Sequence, residues 1–267
     1  MTLLNTITTG QRALPPRVLI YGTDKVGKNT WAAGAPKPIT IQAEEGSDEI
    51  GTARFPLATS FDDIMAQVAA LASEDHDYET VILDSADWIE RLVWSKVCAD
   101  AGKKSIEEVG GGYGKGFTIA LTLWRDLLDG LKYLRNEKSM AVIIICHHEV
   151  KTVSLPECDP FERYQPKLQK AAMGMLKEWC DAILFAGYRV FTKSVEGKGD
   201  TVIVKGVGTG ERILQCSERP THLAGNRYNL PDSLALPKHG GFALFAGHVA
   251  NFYASKSTAP VAAVAAV

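Results

Sequence analysis

The chain has 267 residues, 46% of them hydrophobic and 22% charged, an ordinary globular balance with enough length to bury a full core. A formal net charge of −2 excludes a polycation that coats nucleic acid by bulk charge, so any such contact needs a local basic surface. The five scattered cysteines form no C-x-x-C pair, no apolar run reaches membrane-spanning length and no signal-peptide pattern opens the chain, so a soluble intracellular protein with free thiols and no membrane partner is expected.

Residues 1–16 are polar, end in Pro15-Pro16 and read as a leader before a first buried strand, Val18-Leu19-Ile20-Tyr21, which stops at Gly22. A short helix begins at Thr30-Trp31-Ala32-Ala33, and Pro36 and Pro38 stop it. Ile39-Thr40-Ile41 makes a second strand closed by Glu44-Glu45-Gly46, and Phe61, Ile64, Val68 and Leu71 are spaced as a helix over 61–72. Thr80-Val81-Ile82-Leu83-Asp84 is a third strand, with a helix from Trp88 to Cys98 behind it. Residues 101–116 carry so many glycines and lysines that neither helix nor strand is expected. A long helix from Phe117 to Arg135 precedes an apolar, β-branched run, Met140 to Cys146, that has the character of a central strand. A polar loop from Glu149 to Pro166 and a helix from Lys167 to Trp179 follow.

From Ala182 onward the pattern changes to strands and turns: Ile183–Phe191, Val202–Lys205 and Arg212–Cys216, with a turn at Glu196-Gly197-Lys198-Gly199-Asp200. Residues 255–267 read as a disordered tail, which leaves 17–254 as one domain. Alternating strands and helices predict an α/β fold with a mainly parallel sheet, an antiparallel C-terminal extension, and ligand chemistry at the strands' carboxyl ends.

The loop Gly22-Thr23-Asp24-Lys25-Val26-Gly27-Lys28-Asn29 fits G-x-x-x-x-G-K up to its last position, between a strand and a helix. Such a loop aims backbone amides at a phosphate chain, and Lys28 adds a positive charge near the β- and γ-phosphates. Where Ser or Thr gives a hydroxyl to Mg²⁺, this chain has Asn29; Thr30 lies about 100° further round the helix. A carboxamide oxygen ligates a hard cation but brings an N–H₂ group that repels it, so nucleotide binding is expected and metal-dependent hydrolysis is weakened. Asp84, at the end of an apolar strand, is placed to hold the magnesium shell, a role favoured over capping the next helix. Glu44 and Glu45 are both candidates to deprotonate water, and of His147 and His148 only one can face the phosphates, since adjacent strand residues point opposite ways. Two loops carry groups suited to nucleic acid: Lys103, Lys104, Tyr113 and Lys115 in the first, Lys151, Arg163, Tyr164 and Lys167 in the second.

In this chain order the pieces resemble the RecA-like recombinases, and more closely the phage-encoded RecA-like ATPases of single-strand annealing and recombination, over roughly residues 17–190. Ile41-Gln42-Ala43-Glu44 followed by Asp48 is similar to the family segment whose glutamate activates water, which selects Glu44. Leu83-Asp84-Ser85 matches the second nucleotide motif, and Ile145-Cys146-His147 places His147 as the γ-phosphate sensor. The glycine-rich stretch 103–116 and the loop 149–166 occupy the places of the family's two DNA-binding loops, and Arg163, Lys167 and Lys170 are candidates to reach a neighbouring subunit's nucleotide. The resemblance implies a RecA-like P-loop NTPase core that binds ATP and Mg²⁺, acts on single-stranded DNA in phage recombination or annealing, and assembles with its own copies as a ring or filament. It also implies the cytoplasm of a bacterial host and a single-strand-binding protein as a further partner. Two other readings are a nucleotide-binding regulatory module that barely hydrolyses ATP, which Asn29 favours, and a small-molecule kinase, for which no basic lid or acceptor site stands out.

Overall fold

The structure, a computed structural model, describes residues 3–46, 49–196 and 202–257. Its elements in chain order are β1 (Arg17–Gly22), α1 (Lys28–Ala33), β2 (Pro38–Gln42), β3 (Ala53–Arg54), α2 (Phe61–Ser73), β4 (Thr80–Asp84) and α3 (Ala86–Asp100). Then come α4 (Lys115–Glu137), β5 (Ala141–Leu155), β6 (Cys158–Pro166), α5 (Lys170–Trp179), β7 (Ala182–Glu196), β8 (Val202–Gln215), β9 (Gly225–Asn226), β10 (Ser233–Ala235) and α6 (Gly241–Ser257).

Branched and aliphatic side chains favour the extended state in β1 and β5, and alternate residues go to opposite faces. Leu19, Tyr21, Val142, Ile144 and Cys146 enter a core covered by α2, α3, α4 and α5, whereas Val18, Ile20, Ile143 and Ile145 enter one covered by α1 and α6. Strands buried on both faces have no polar alternation, which is why they stand out as unbroken apolar runs. The sheet order is β10-β8-β7-β1-β5-β4-β2-β3; β1 pairs parallel with β5 and β7, and β4 parallel with β5 and β2. On the far side of β7, β8 and β10 run antiparallel. The α/β class with a mainly parallel sheet and a C-terminal antiparallel extension is therefore found. Register aligns the carboxyl ends: Gly22 opposes His147 and Ala186, Asp84 opposes Ile145, and Gln42 opposes Asp84. Among the described residues no helix is long and apolar enough to cross a membrane.

Several local expectations are corrected. The loop expected at 149–166 is a two-stranded hairpin, β5 running on to Leu155 and pairing with β6 so that Lys151 opposes Arg163. Val150, Thr152 and Val153 supply β-favouring side chains, while Pro156, Pro160 and Pro166 mask the strand signal. Within 101–116, residues Ile106–Gly111 form a 3₁₀ segment that buries Ile106 and Val109, and α4 starts at Lys115. Gly116 permits this, because a Cβ there would lie 2.0 Å from the Ile106 carbonyl oxygen. β8 is continuous through Gly206, Gly208 and Gly210, where glycines fit beside a ladder irregularity near Tyr188 and Val190. The C-terminal pattern hid a helix: α6 sets Phe242, Phe245 and Val249 against Trp31 and its neighbours and runs to Ser257, into the segment expected to be a tail. Asp48, the turn at 197–200 and residues 258–267 lie outside the described residues.

Candidate functional site

β1 can end against β7 only with a glycine: Gly22 has φ 150°, and a Cβ there would stand 1.8 Å from the Ala186 carbonyl oxygen. The chain then curls through Lys25 (φ 59°) and Gly27 (φ 106°) into α1. α1 has six residues, so its dipole is a smaller contribution than a full-length helix gives, and the loop's own amides carry more of the work. Lys28 is buried and donates from Nζ to the carbonyls of Gly22 (3.0 Å) and Thr23 (3.1 Å). Burial draws the ammonium's pKa down, against Asp24, Asp84 and Asp87, which raise it. Thr23 Oγ1 is buried with no hydrogen-bond partner among the described residues. A curled backbone, a buried ammonium resting on carbonyls and an orphaned hydroxyl suit a loop that closes round an anion.

Opposite the loop, Asn29 Nδ2 donates to Asp84 Oδ2 at 2.6 Å. Asp84 is 3% exposed, and burial first, then Glu44, push its carboxyl up to about 6. Glu44 turns inward while Glu45 is exposed at the rim, and burial lifts the Glu44 pKa as well. Glu44 and Asp84 line the same cleft and Glu44 adds to the rise of the Asp84 carboxyl, an arrangement that suits a divalent cation beside a phosphate chain, and the Asp84 carboxylate with the Asn29 carboxamide oxygen are hard donors of the right kind. Asn29, however, here offers its N–H₂ to Asp84.

His147 completes the site from β5, between the phosphate loop and Asp84. Its backbone amide donates to Asp87 Oδ1 at 3.1 Å and its Nδ1 donates to the same carboxylate at 3.1 Å, which leaves Nε2 without a partner among the described residues; Nδ1 also lies 4.0 Å from Glu44. The Asp87 hydrogen bond raises the ring's pKa, against burial, which lowers it. For Asp87 itself burial opposes ionisation, but the hydrogen bonds from His147 outweigh it and hold the carboxyl below its usual range. His148 faces the other way, its ring nitrogen 3.1 Å from the Gly22 carbonyl and its ring beside Tyr164. Asp24, Lys28, Asn29, Glu44, Asp84 and His147 thus line one cleft of about 520 Å³, with Lys25, Gly27 and Thr30 on its wall.

Two residues here escaped the sequence reading. Asp87 follows Asp84 by three positions, yet an acidic residue in a helix's first turn is usually a dipole partner, and nothing along the chain pairs it with His147. Arg212, on β8, donates from Nη1 to the Val26 carbonyl at 3.2 Å, a contact only the antiparallel extension creates.

The residues expected on nucleic acid divide into two groups. Lys103 and Lys104 line a cavity of about 580 Å³, Lys151 and Lys167 another of about 370 Å³, and Arg91 and Trp94 line both. Tyr113, fully exposed, and Lys115, at the start of α4, stand apart from these two cavities. Arg163 is held by Glu218 at 2.6 Å with its side chain 14% exposed, and the Tyr164 ring stacks on Phe185 while the residue stays 37% exposed. Lys170 is exposed at the first turn of α5.

A glycine loop between a strand and a helix, facing a buried aspartate across the carboxyl edge of a parallel sheet, defines a P-loop α/β protein. The chain belongs to the AAA domain family, whose model matches residues 14–228. No curated protein matches the chain. Among solved structures, the crystal structure of the RadB recombinase is similar at 13% identity and a TM-score of 0.45, over 85% of this chain and 90% of that one.

Proposed function

We propose that the chain binds ATP in the cleft at the carboxyl edge of the sheet and hydrolyses it when single-stranded DNA is bound, as part of strand annealing or exchange by an assembly of identical copies. The observation that carries this reading is the convergence of Lys28, the Asn29–Asp84 pair, Glu44 and His147 on one cleft. Lys28 exchanges two loop carbonyls for phosphate oxygens, and the loop amides hold the rest of the chain of phosphates. Asp84 and Asn29 would hold a magnesium ion, whose chemistry when bound is to neutralise charge on the β- and γ-phosphates. Glu44, with its pKa lifted by burial, is a base nearer to the working pH than an ordinary carboxylate and takes the proton of the attacking water. His147, fixed by Asp87, points Nε2 at the γ-phosphate and reads whether it is present. Lys103, Lys104, Lys151 and Lys167 supply the local basic surface that the near-neutral chain needs for DNA.

The Asn29 Nδ2 bond to Asp84 favours a second reading, a module that binds ATP as a conformational ligand with little turnover. ATP affinity and phosphate release, measured together with and without single-stranded DNA, separate the two. Release stimulated by DNA supports the ATPase. Tight ATP binding with no release under either condition supports the module.

A further inference from the structure

Leu214 on β8 lies level with Ala186 on β7 and Gly22 on β1, and its side chain joins Val26 and Trp31 in the core covered by α1. Side chains two residues apart on a strand share a face, so Arg212 stands on that same side of the sheet, past the carboxyl end of β1. Its backbone is pinned from both sides: Tyr188 opposes it on β7, and the Leu236 amide donates to its carbonyl at 3.0 Å. Arg212 is thus a half-buried cation delivered to the phosphate loop by a rigid part of the sheet.

Its guanidinium meets the loop from outside. Nη1 donates to the Val26 carbonyl at 3.2 Å and lies so close over Gly27 that a Cβ there would stand 3.0 Å from it. Among the described residues no carboxylate pairs with Arg212, so its charge is left uncompensated beside the loop. The Val26–Gly27 peptide is trans, and in a trans peptide the N–H points the opposite way from the C=O. With the C=O turned to Arg212, the Gly27 N–H is turned towards the cleft that Gly27 lines, and among the described residues it has no backbone acceptor. The guanidinium also polarises that peptide, which makes the N–H a stronger donor. The Val26 side chain is fully buried, so residue 26 is held at its side chain and at its carbonyl. Lys28, by contrast, rests on the Gly22 and Thr23 carbonyls and has to leave them to meet a phosphate, whereas Arg212 can keep its carbonyl throughout.

We infer that Arg212 is a positioning residue of the nucleotide site: by holding the Val26 carbonyl it aims the Gly27 amide at the phosphate chain and lends the loop a second positive charge. This rests on the reading of the cleft as a nucleotide site and adds the residue that sets the shape of its loop. The amides of such a loop cradle the α- and β-phosphates, which ADP and ATP share. Arg212 therefore contributes to the affinity for both nucleotides rather than to turnover.

The test is calorimetric titration of the full chain with ADP and with a non-hydrolysable ATP analogue, in magnesium, beside phosphate release at saturating ATP. Arg212→Met keeps an unbranched stem and removes the charge and the donors. It weakens both nucleotides by the same factor, about tenfold, the loss of one hydrogen bond from a charged group. The number of sites per chain and the release rate at saturation stay at the parent's values. Arg212→Lys, which keeps a charge and a donor, recovers most of the affinity. A merely structural role gives a different readout, fewer sites per chain at the parent's dissociation constant, and that result overturns the inference. Arg212→Met that binds ADP as tightly as the parent overturns it too, while the nucleotide reading stands. Should Arg212→Met not fold, Arg212→Gln, which loses the charge and the reach to Val26, is read by the same criteria. A parent that binds neither nucleotide defeats the reading of the cleft and the inference with it.

Discussion

Replacing Asn29 with serine tests the metal side of the cleft. The Asn29 Nδ2 to Asp84 bond, at 2.6 Å, is a hydrogen bond to a buried carboxylate that is 3% exposed. Such a bond contributes roughly 1.5–3 kcal/mol, and a cation that takes Asp84 Oδ2 has to displace it. A serine hydroxyl at position 29 donates its proton to Asp84 and still offers an oxygen lone pair to the metal, so nothing has to be broken. Asn29→Ser is therefore expected to raise turnover about ten- to hundredfold, the rate equivalent of that energy. ATP affinity should move far less, because Lys28 and the loop amides are unchanged. Glu44→Gln in the same background should remove the gain, since the attacking water loses its base. Phosphate release and calorimetric ATP affinity, measured side by side, read both effects. An active parent whose turnover is unaltered in Asn29→Ser would show that the carboxamide already ligates the metal, and the reasoning about residue 29 would be wrong.

Lys28→Ala should abolish tight ATP binding while preserving the circular-dichroism spectrum; unchanged calorimetric affinity would remove the loop as the phosphate site. Gly22→Ala drives a methyl group to 1.8 Å from the Ala186 carbonyl oxygen, so β1 and β7 must separate, and urea unfolding should show a loss of more than about 2 kcal/mol. A midpoint equal to the parent's would contradict the strand register. Glu90 has a folded-state pKa of about 7 against an ordinary 4.5, so the folded chain holds this proton more tightly than the unfolded one. The stability it contributes is complete below the ordinary value and is lost as pH rises through about 7. Glu90→Gln still accepts from the Gln169 amide and should flatten that loss, leaving the variant more stable than the parent by up to about 3 kcal/mol above pH 8 and little different near pH 4. Equal pH dependence of the two melting curves would show that Glu90 ionises normally.

Much of this protein is determined locally. Unbroken apolar runs such as Val18-Leu19-Ile20-Tyr21 and Met140 to Cys146 specify strands buried on both faces, and Gly22 to Lys28 specifies the loop between strand and helix, because period and backbone freedom are properties of neighbouring residues. The same locality made 149–166 resemble a loop and hid α6, since prolines in the first and small residues in the second obscure a pattern that packing enforces. Tertiary structure alone decided the pairings across the cleft. Parallel register sets His147 beside Gly22 and two residues past the level of Asp84, which brings Asp87 from the next helix onto its ring. Antiparallel pairing carries Arg212 back to the phosphate loop, and hairpin folding commits Arg163 to Glu218 while leaving Lys167 on the wall of a cavity beside α3. Short-range spacing encodes which residues share a face; which faces meet depends on strand order and burial summed over the whole chain.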